Sequence, residues 1–268
     1  MRMIRPLTEQ DRKHVVALLS QDRALNLYIL GNLETLGLKR DFCQFWGDFE
    51  DSSGVLRAVL NRYMNGWTLY GRPDADWAGL AQVVDQHPVP AARLQDNPGG
   101  IPSFLPYLQR YRASQEKVEE LMTLAPEHFR PVAPPPGATV RRATLADLDA
   151  LIHLYRDAGS MQRSPAAVER PLRDTRVWVA EVAGQIGAAA LTNAEVADLA
   201  MIGGVYTVPA LRGRGLSQAV CSALCQELLR EGKGPVLYWD TPAAGAVYRK
   251  LGFQAVGRWR SVWLAPAD

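Results

Sequence analysis

Gly203-Gly204-Val205-Tyr206-Thr207-Val208-Pro209-Ala210-Leu211-Arg212-Gly213-Arg214-Gly215-Leu216-Ser217 is the stretch on which the reading of this chain turns. An apolar, β-type run breaks into a glycine-rich turn, and the turn opens a helix. Glycines at 213 and 215 leave backbone N–H groups unshielded, and the following helix directs its partly positive N-terminus at the same point. An anionic group can be held there without side-chain bases, and Arg212 and Arg214 add charge suited to a pyrophosphate or a ribose phosphate. On spacing alone, an ordinary strand-turn-helix connection is the competing reading.

Downstream, the helix from Leu216 carries Leu216, Val220, Leu224 and Leu228 on its buried face, and Gly232 and Gly234 end it. A buried strand, Pro235 to Trp239, leads to Asp240. Thr241-Pro242 then starts a helix from Ala243 to Leu251 that Gly252 closes, and a strand from Val256 to Leu264 follows.

A strand, a Val-Pro-x-x-Arg-Gly-Arg-Gly turn, a helix, a strand and then Ala-Val-Tyr-Arg-Lys-Leu-Gly-Phe, in that order, resemble the Gcn5-related N-acetyltransferase superfamily. Gly203 to Thr207 and Tyr248 to Phe253 are most similar to its FR47-like branch, and the resemblance covers about residues 139 to 266. It implies an N-acyltransferase, most simply an N-acetyltransferase, with acetyl-coenzyme A or another acyl-coenzyme A as cosubstrate. The cosubstrate is expected in a V-shaped opening between the strand ending at Thr207 and the strand from Pro235 to Trp239. The backbone of Val205, Tyr206 and Thr207 then pairs with the pantetheine arm. The backbone N–H groups of Gly213, Arg214, Gly215, Leu216 and Ser217 hold the pyrophosphate, with Arg212 opening the motif.

The resemblance also places Tyr248 beside the coenzyme sulfur, where a phenol can protonate the departing thiolate; a packing tyrosine on an amphipathic helix is the alternative. The chain departs from the family pattern at Ser217, where Gly or Ala is usual. It departs again at Thr241, Ala244 and Gly245, where the branch often has Asn, Ser and Asn, so polar contacts to the pantetheine arm or the acceptor are in doubt there. The strand from Ala200 to Thr207 contains no carboxylate where many relatives place a glutamate. Asp198 and Asp240 flank the site but read as loop or cap residues, which leaves a water relay as the route for the amine's proton.

The 268 residues suffice for one large or two ordinary domains, and a hydrophobic fraction of 47% supports a real core. Thirty basic and 28 acidic residues leave a net charge of +2, too balanced for nucleic acid or an anionic membrane to be the main partner. With no apolar leader after Met1 and no run of bilayer-spanning length, a cytoplasmic protein without membrane partners is expected. The odd count of three cysteines, with Cys221 and Cys225 on an apolar helix face, fits core thiols better than ligands. His14, His87, His128 and His153 lack metal spacing, so no metal is expected.

Val132-Ala133-Pro134-Pro135-Pro136-Gly137 reads as a semi-rigid connector, giving domains over 1–130 and 139–268 joined by a linker over 131–138. Beyond it, Val140 to Arg142 and a helix start at Thr144 and Asp147 lead into a stripe of Leu148, Leu151, Ile152 and Tyr155. Ile4 to Asp11, with Val15, Leu18 and Leu19, repeats this pattern at an offset of 136 residues. Leu124-Ala125-Pro126 and Leu264-Ala265-Pro266 correspond at an offset of 140. Each half also holds a hairpin, Gln44–Phe49 with Val55–Leu60 and Val177–Val182 with Ile186–Leu191. An internal duplication explains all three correspondences, although strand-helix-hairpin order also arises by chance. The expected fold is therefore α/β (α+β): tandem Gcn5-related N-acetyltransferase-like domains, each a mixed, mostly antiparallel sheet flanked by helices. In the first half the equivalent of the cradle, Tyr70-Gly71-Arg72-Pro73-Asp74-Ala75-Asp76, has one glycine and a proline, so that half reads as a degenerate copy with a structural or acceptor-shaping role.

Tryptophans 46, 67, 77, 178, 239, 259 and 263 line an acceptor cleft or pack a core. Arg249, Lys250, Arg258 and Arg260 attract an anion or are simply solvated, and Glu116, Glu119 and Glu120 with Lys117 read as a soluble face. The acceptor is expected to be a small-molecule or peptide amine, and the protein a monomer or a homodimer. A non-catalytic acyl-coenzyme A sensor is the alternative from another class.

Overall fold

The computed structural model describes residues 2–38, 40–50, 54–97 and 99–267. The first half runs β1 (Arg2–Pro6), α1 (Arg12–Leu19), α2 (Leu27–Leu36), β2 (Cys43–Glu50), β3 (Leu56–Tyr63), β4 (Gly66–Gly71), α3 (Trp77–Gln86), β5 (Arg93–Asp96), α4 (Gly100–Phe104) and β6 (Tyr111–Thr123). The second half repeats it: β7 (Ala138–Arg142), α5 (Leu148–Arg156), α6 (Pro165–Asp174), β8 (Val177–Val182), β9 (Gln185–Glu195), β10 (Leu199–Thr207), α7 (Leu216–Arg230), β11 (Gly234–Trp239), α8 (Pro242–Leu251) and β12 (Gln254–Pro266).

The duplication extends to side-chain detail. In the first copy Arg5 grips Asp11 with two hydrogen bonds of 2.7 Å while the Thr8 N–H donates to the same carboxylate at 2.8 Å. In the second, 136 residues on, Arg141 grips Asp147 at 2.9 and 2.7 Å while the Thr144 N–H donates to it at 2.8 Å. Each carboxylate closes a capping box and takes a bidentate guanidinium from the preceding strand, tying strand to helix. The Arg141 contact, with the Thr144 bonds, holds the Asp147 carboxyl down at about 2, and Asp11 is lowered for the same reason.

The chain divides into two compact units, Met1–Leu121 with Gly257–Asp268, and Met122–Val256. This division differs from the boundary expected at the proline run, and the reason lies in the last strand of each copy. Most of β12, expected to complete the second half, belongs to the first unit. There the strand order is β1-β2-β3-β4-β5-β12-β6, and Arg260 to Trp263 pair antiparallel with Asp96 to Arg93 of β5. Trp259 and Val262 are buried, and Val262 lies in a core with Trp67, Trp77, Leu80 and Phe104. The second unit has the order β11-β10-β9-β8-β7, and the residues ending the first copy lie at its β11 edge, where the Leu124 N–H donates to the Pro235 carbonyl at 3.0 Å. Met122 and Leu124 pack into its core.

The second unit's sheet is covered on both faces. Ala188, Ala190, Ala200 and Ile202 face the apolar stripe of α7 and residues of α8, whereas Val179, Ala189 and Leu191 face Leu151, Leu154 and Tyr155 of α5 and Val168 of α6. The alternation along β9 is the period-2 pattern of a strand buried on both sides.

Candidate active site

β10 and β11 run parallel, and their pairing is confined to Leu199 with Gly234, Ala200 with Pro235 and Met201 with Val236. Both strands continue, to Thr207 and to Trp239, without further pairing to each other among the described residues. The described pairing of the two strands therefore ends at Met201 and Val236, in the region where the family resemblance implies a V-shaped opening.

A bulge in β10 enlarges the distortion. Against β9, Gly203 stands opposite Leu191 and Tyr206 opposite Ala189, so three steps along β10 match two along its partner. The surplus residue inverts side-chain parity: Ile202 and Val205 pack toward α7, and Tyr206 packs toward α5. Gly204 takes a φ of +58°, a left-handed conformation that a side chain would strain. Its carbonyl accepts a hydrogen bond from the buried Tyr155 hydroxyl, which fixes the peptide.

β10 leads through a short 3₁₀ turn, Pro209–Leu211, into the glycine loop. Gly213 and Gly215 have φ values of +77° and +79°, and a Cβ on either would meet no atom within 4 Å. Their glycine identity thus serves backbone conformation, and the space above them is open. Gly215 is the N-cap of the 15-residue α7, and no side chain caps that end. The first amides of α7, those of Leu216 and Ser217 included, are left for solvent or an anion. Arg214 is exposed and makes no ion pair among the described residues. The Arg212 Nε donates to the Thr207 carbonyl at 3.1 Å and the guanidinium lies 5.7 Å from the centre of the Tyr206 ring, which locks the loop to the strand end. The Thr207 hydroxyl is buried at the mouth of the opening without a hydrogen-bond partner. An unpartnered hydroxyl, uncapped helix amides and open space above two glycines together fit a phosphate-bearing chain molecule.

Tyr248 lies on α8, facing α7. It is 6% exposed, and its ring stands 5.9 Å from that of Phe253. Burial, followed by Cys221, Cys225 and Asp240, pushes its phenol above the ordinary tyrosine value. Cys221 and Cys225 are free, fully buried thiols, and burial pushes Cys221 up to about 12, so both are inert core groups. Two departures from the family pattern have local explanations. Thr241 caps α8 by accepting from the Ala244 N–H at 3.4 Å. A Cβ on Gly245 would lie 2.6 Å from the Trp239 ring, so Trp239 occupies the space a larger residue would need. That indole donates to the Met122 sulfur at 3.1 Å, and Arg249 stacks 4.8 Å from its centre.

Most of the other features that the sequence singled out lie in packing or ion pairs. Trp46, Trp67 and Trp77 belong to the first unit's core region, Arg260 pairs with Glu116, and Lys117 pairs with Glu119 at 2.9 Å. One group, on the α5 side of the bulge, is not among the residues expected from the sequence. Asn193 of β9 fills the space beside Gly203, whose Cβ would lie 2.0 Å from the Asn193 side-chain nitrogen. Arg163, between α5 and α6, donates to the Asn193 side-chain oxygen at 3.1 Å and lies 5.7 Å from the Tyr155 ring centre. Gly203 was the available signal, since glycine inside a strand marks a close approach.

The comparisons agree with this architecture. Residues 184–264 match the FR47-like protein family. A Drosophila protein of known structure is 14% identical over 100% of both chains, with a TM-score of 0.73. A Gcn5-related N-acetyltransferase from Sphaerobacter thermophilus is 17% identical over 99% of this chain and 95% of its own, with a TM-score of 0.71. A tandem protein of the same fold from the clavulanic acid biosynthesis pathway is 17% identical over 100% of this chain and 99% of its own, with a TM-score of 0.65. No curated protein matches by sequence. The chain is a tandem protein of the Gcn5-related N-acetyltransferase fold, with an FR47-like region in its second half.

Proposed function

We propose that this protein is an acyl-coenzyme A-dependent N-acyltransferase, most simply an N-acetyltransferase, acting on a primary amine by direct transfer in a ternary complex. The observation that carries the proposal is the parting of β10 from β11 beside a helix N-terminus that no side chain caps. Acyl-coenzyme A supplies the activated thioester. Val205, Tyr206 and Thr207 offer backbone groups for a pantetheine arm laid along the open edge of β10, and the amides from Gly213 to Ser217 receive the pyrophosphate, with Arg214 adding charge.

At the thioester, the C–N bond forms as the C–S bond breaks. A backbone N–H at the bulge, near Val205 or Tyr206, stabilises charge on the carbonyl oxygen. The amine loses its proton to water, since β10 carries no carboxylate. Tyr248 gives its proton to the leaving sulfur. Burial raises the phenol, which keeps it protonated at neutral pH, and the same desolvation makes a thiolate more basic, so the transfer is not handicapped by the shift.

The first unit has a structural role in this scheme. Its equivalent helix, α3, is capped by the Asp76 carboxylate, which accepts from the Gly79 N–H at 3.0 Å and occupies the anion position. β4 pairs with β3 in unbroken register from Gly71 to Gly66 and has no bulge.

The test is a thermal-shift titration with acetyl-coenzyme A, coenzyme A and ATP, followed by an amine screen for thiol release. Stabilisation by both coenzyme species but not ATP, with amine-dependent thiol release, supports the proposal. Binding without thiol release for any amine identifies a sensor, and absence of binding removes the cradle assignment.

A further inference from the structure

We infer that the amine acceptor is an amino carboxylate, a free amino acid or close analogue, whose carboxylate is taken by Arg163. The inference rests on the acyltransferase proposal above for the location of the reacting amine, but its evidence is separate and lies on the α5 side of β10.

Arg163 is half-buried, and among the described residues it has no carboxylate partner. Its contacts are a neutral one, to the Asn193 side-chain oxygen at 3.1 Å, and a stacking one, 5.7 Å from the Tyr155 ring centre. Its Nε–H is buried and makes no hydrogen bond. Other arginines of this unit behave differently. Arg141 takes Asp147 and Glu181, and Arg176 takes Glu195 and Glu231, each with charge-assisted bonds. A partly desolvated guanidinium with an unmet donor and no counter-ion is costly in the absence of a ligand and favours a planar, bidentate anion when one arrives.

Its place relative to the bulge selects the anion. Asn193, which Arg163 holds, stands against Gly203, and Tyr155, over which Arg163 lies, donates to the Gly204 carbonyl. Arg163 is therefore one side chain removed from both peptides that form the bulge, where the thioester carbonyl is expected. A ligand binding there must carry its negative charge within a few bonds of the amine that attacks. An amino acid satisfies that requirement with its own carboxylate, whereas a polyamine or a lysine side chain within a peptide offers nothing to the guanidinium.

The experiment compares each common L-amino acid with its amide and its decarboxylated amine, by calorimetric binding to the full chain in saturating coenzyme A and by thiol release with acetyl-coenzyme A. Arg163→Gln and Arg163→Lys are measured beside the wild type. The expected result is at least one amino acid preferred over its amide by about tenfold or more, the scale of a charge-assisted contact. The preference should be abolished in Arg163→Gln and partly kept in Arg163→Lys, with coenzyme A affinity unchanged in both. Equal or better binding of every amide and amine, or a carboxylate preference that survives Arg163→Gln, overturns the inference. Carboxylate-selective binding lost in Arg163→Gln, without thiol release, upholds the inference and removes the acyltransferase proposal alone.

Discussion

Gly215→Glu tests the cradle most directly. The residue is the N-cap of α7 with a φ of +79°, and the volume in front of its missing Cβ is empty of protein. A glutamate there costs backbone strain of about 1–2 kcal/mol for a left-handed conformation. It also places a carboxylate against a bound pyrophosphate: two unit charges about 5 Å apart at an effective dielectric of about 20 repel by about 3 kcal/mol, which weakens binding more than 100-fold. Strain is separated from repulsion by a matched control, Gly184→Glu. Gly184 lies in the turn between β8 and β9 with a φ of +76° and nothing within 4 Å of its Cβ position. Both variants should lose similar stability in a denaturant titration, while only Gly215→Glu should lose coenzyme A affinity by calorimetry. Coenzyme A binding to a folded Gly215→Glu within about threefold of the wild type would refute the assignment of this helix end as the phosphate site.

Three further outcomes are expected. Tyr248→Phe should lower amine-dependent thiol release by about 100-fold or more while leaving coenzyme A affinity in place, the signature of a lost general acid; a change in affinity alone would make Tyr248 a packing residue. Asp96, 2% exposed with an unpartnered Oδ1, is pushed well above the carboxylate range by burial, so its contribution to stability is full below about pH 4 and is lost as pH rises through the elevated folded value. Asp96→Asn should therefore raise the melting temperature more at pH 8 than at pH 4, and an equal change at both would contradict the buried acid. A fragment of residues 139–268 should be insoluble or bind a hydrophobic dye, because Trp259 and Val262 lose the first unit's core and β11 loses the Leu124 contact; a soluble, cooperatively melting fragment would show that the last strand is dispensable.

Much of this arrangement is legible in short-range sequence. The capping boxes at Thr8 and Thr144, the hairpins, the glycine loop and the helix ended by Gly252, with a φ of +100°, are all set by residues within a turn of one another. The ends of β6 and β12 are not legible in the same way. Both strands are preceded by a helix and look like the closing strand of their own copy, and their destinations are decided by burial of Trp259, Val262, Met122 and Leu124, which is a long-range matter. Tyr155 reads correctly as part of an apolar stripe, yet its hydroxyl bond to Gly204 spans 49 residues. Arg163 and Asn193 carry no local pattern, and their pairing appears only when α5, α6 and β9 are brought together.

The two copies differ at corresponding helix ends, one capped by a side chain and one not. α3 and α7 each follow a strand that pairs in parallel with the next for three residues, so the backbone plan is shared. At α3 the orphan amides are met from within the chain by Asp76, and Leu69 of β4 packs with Ile101 and Phe104. An acidic cap of this kind is worth about 1 kcal/mol and excludes an external anion by charge. At α7 that stabilisation is absent: Gly215 offers no side chain, and the bulge at Gly203 and Gly204 interrupts the ladder to β9. A stability-driven sequence would cap α7 and straighten β10, as the first copy does. Two positive-φ glycines, an uncapped helix and an unmet Thr207 hydroxyl in one place are what the proposed coenzyme A site calls for, because a bound phosphate chain would supply hydrogen bonds that the protein leaves unmade.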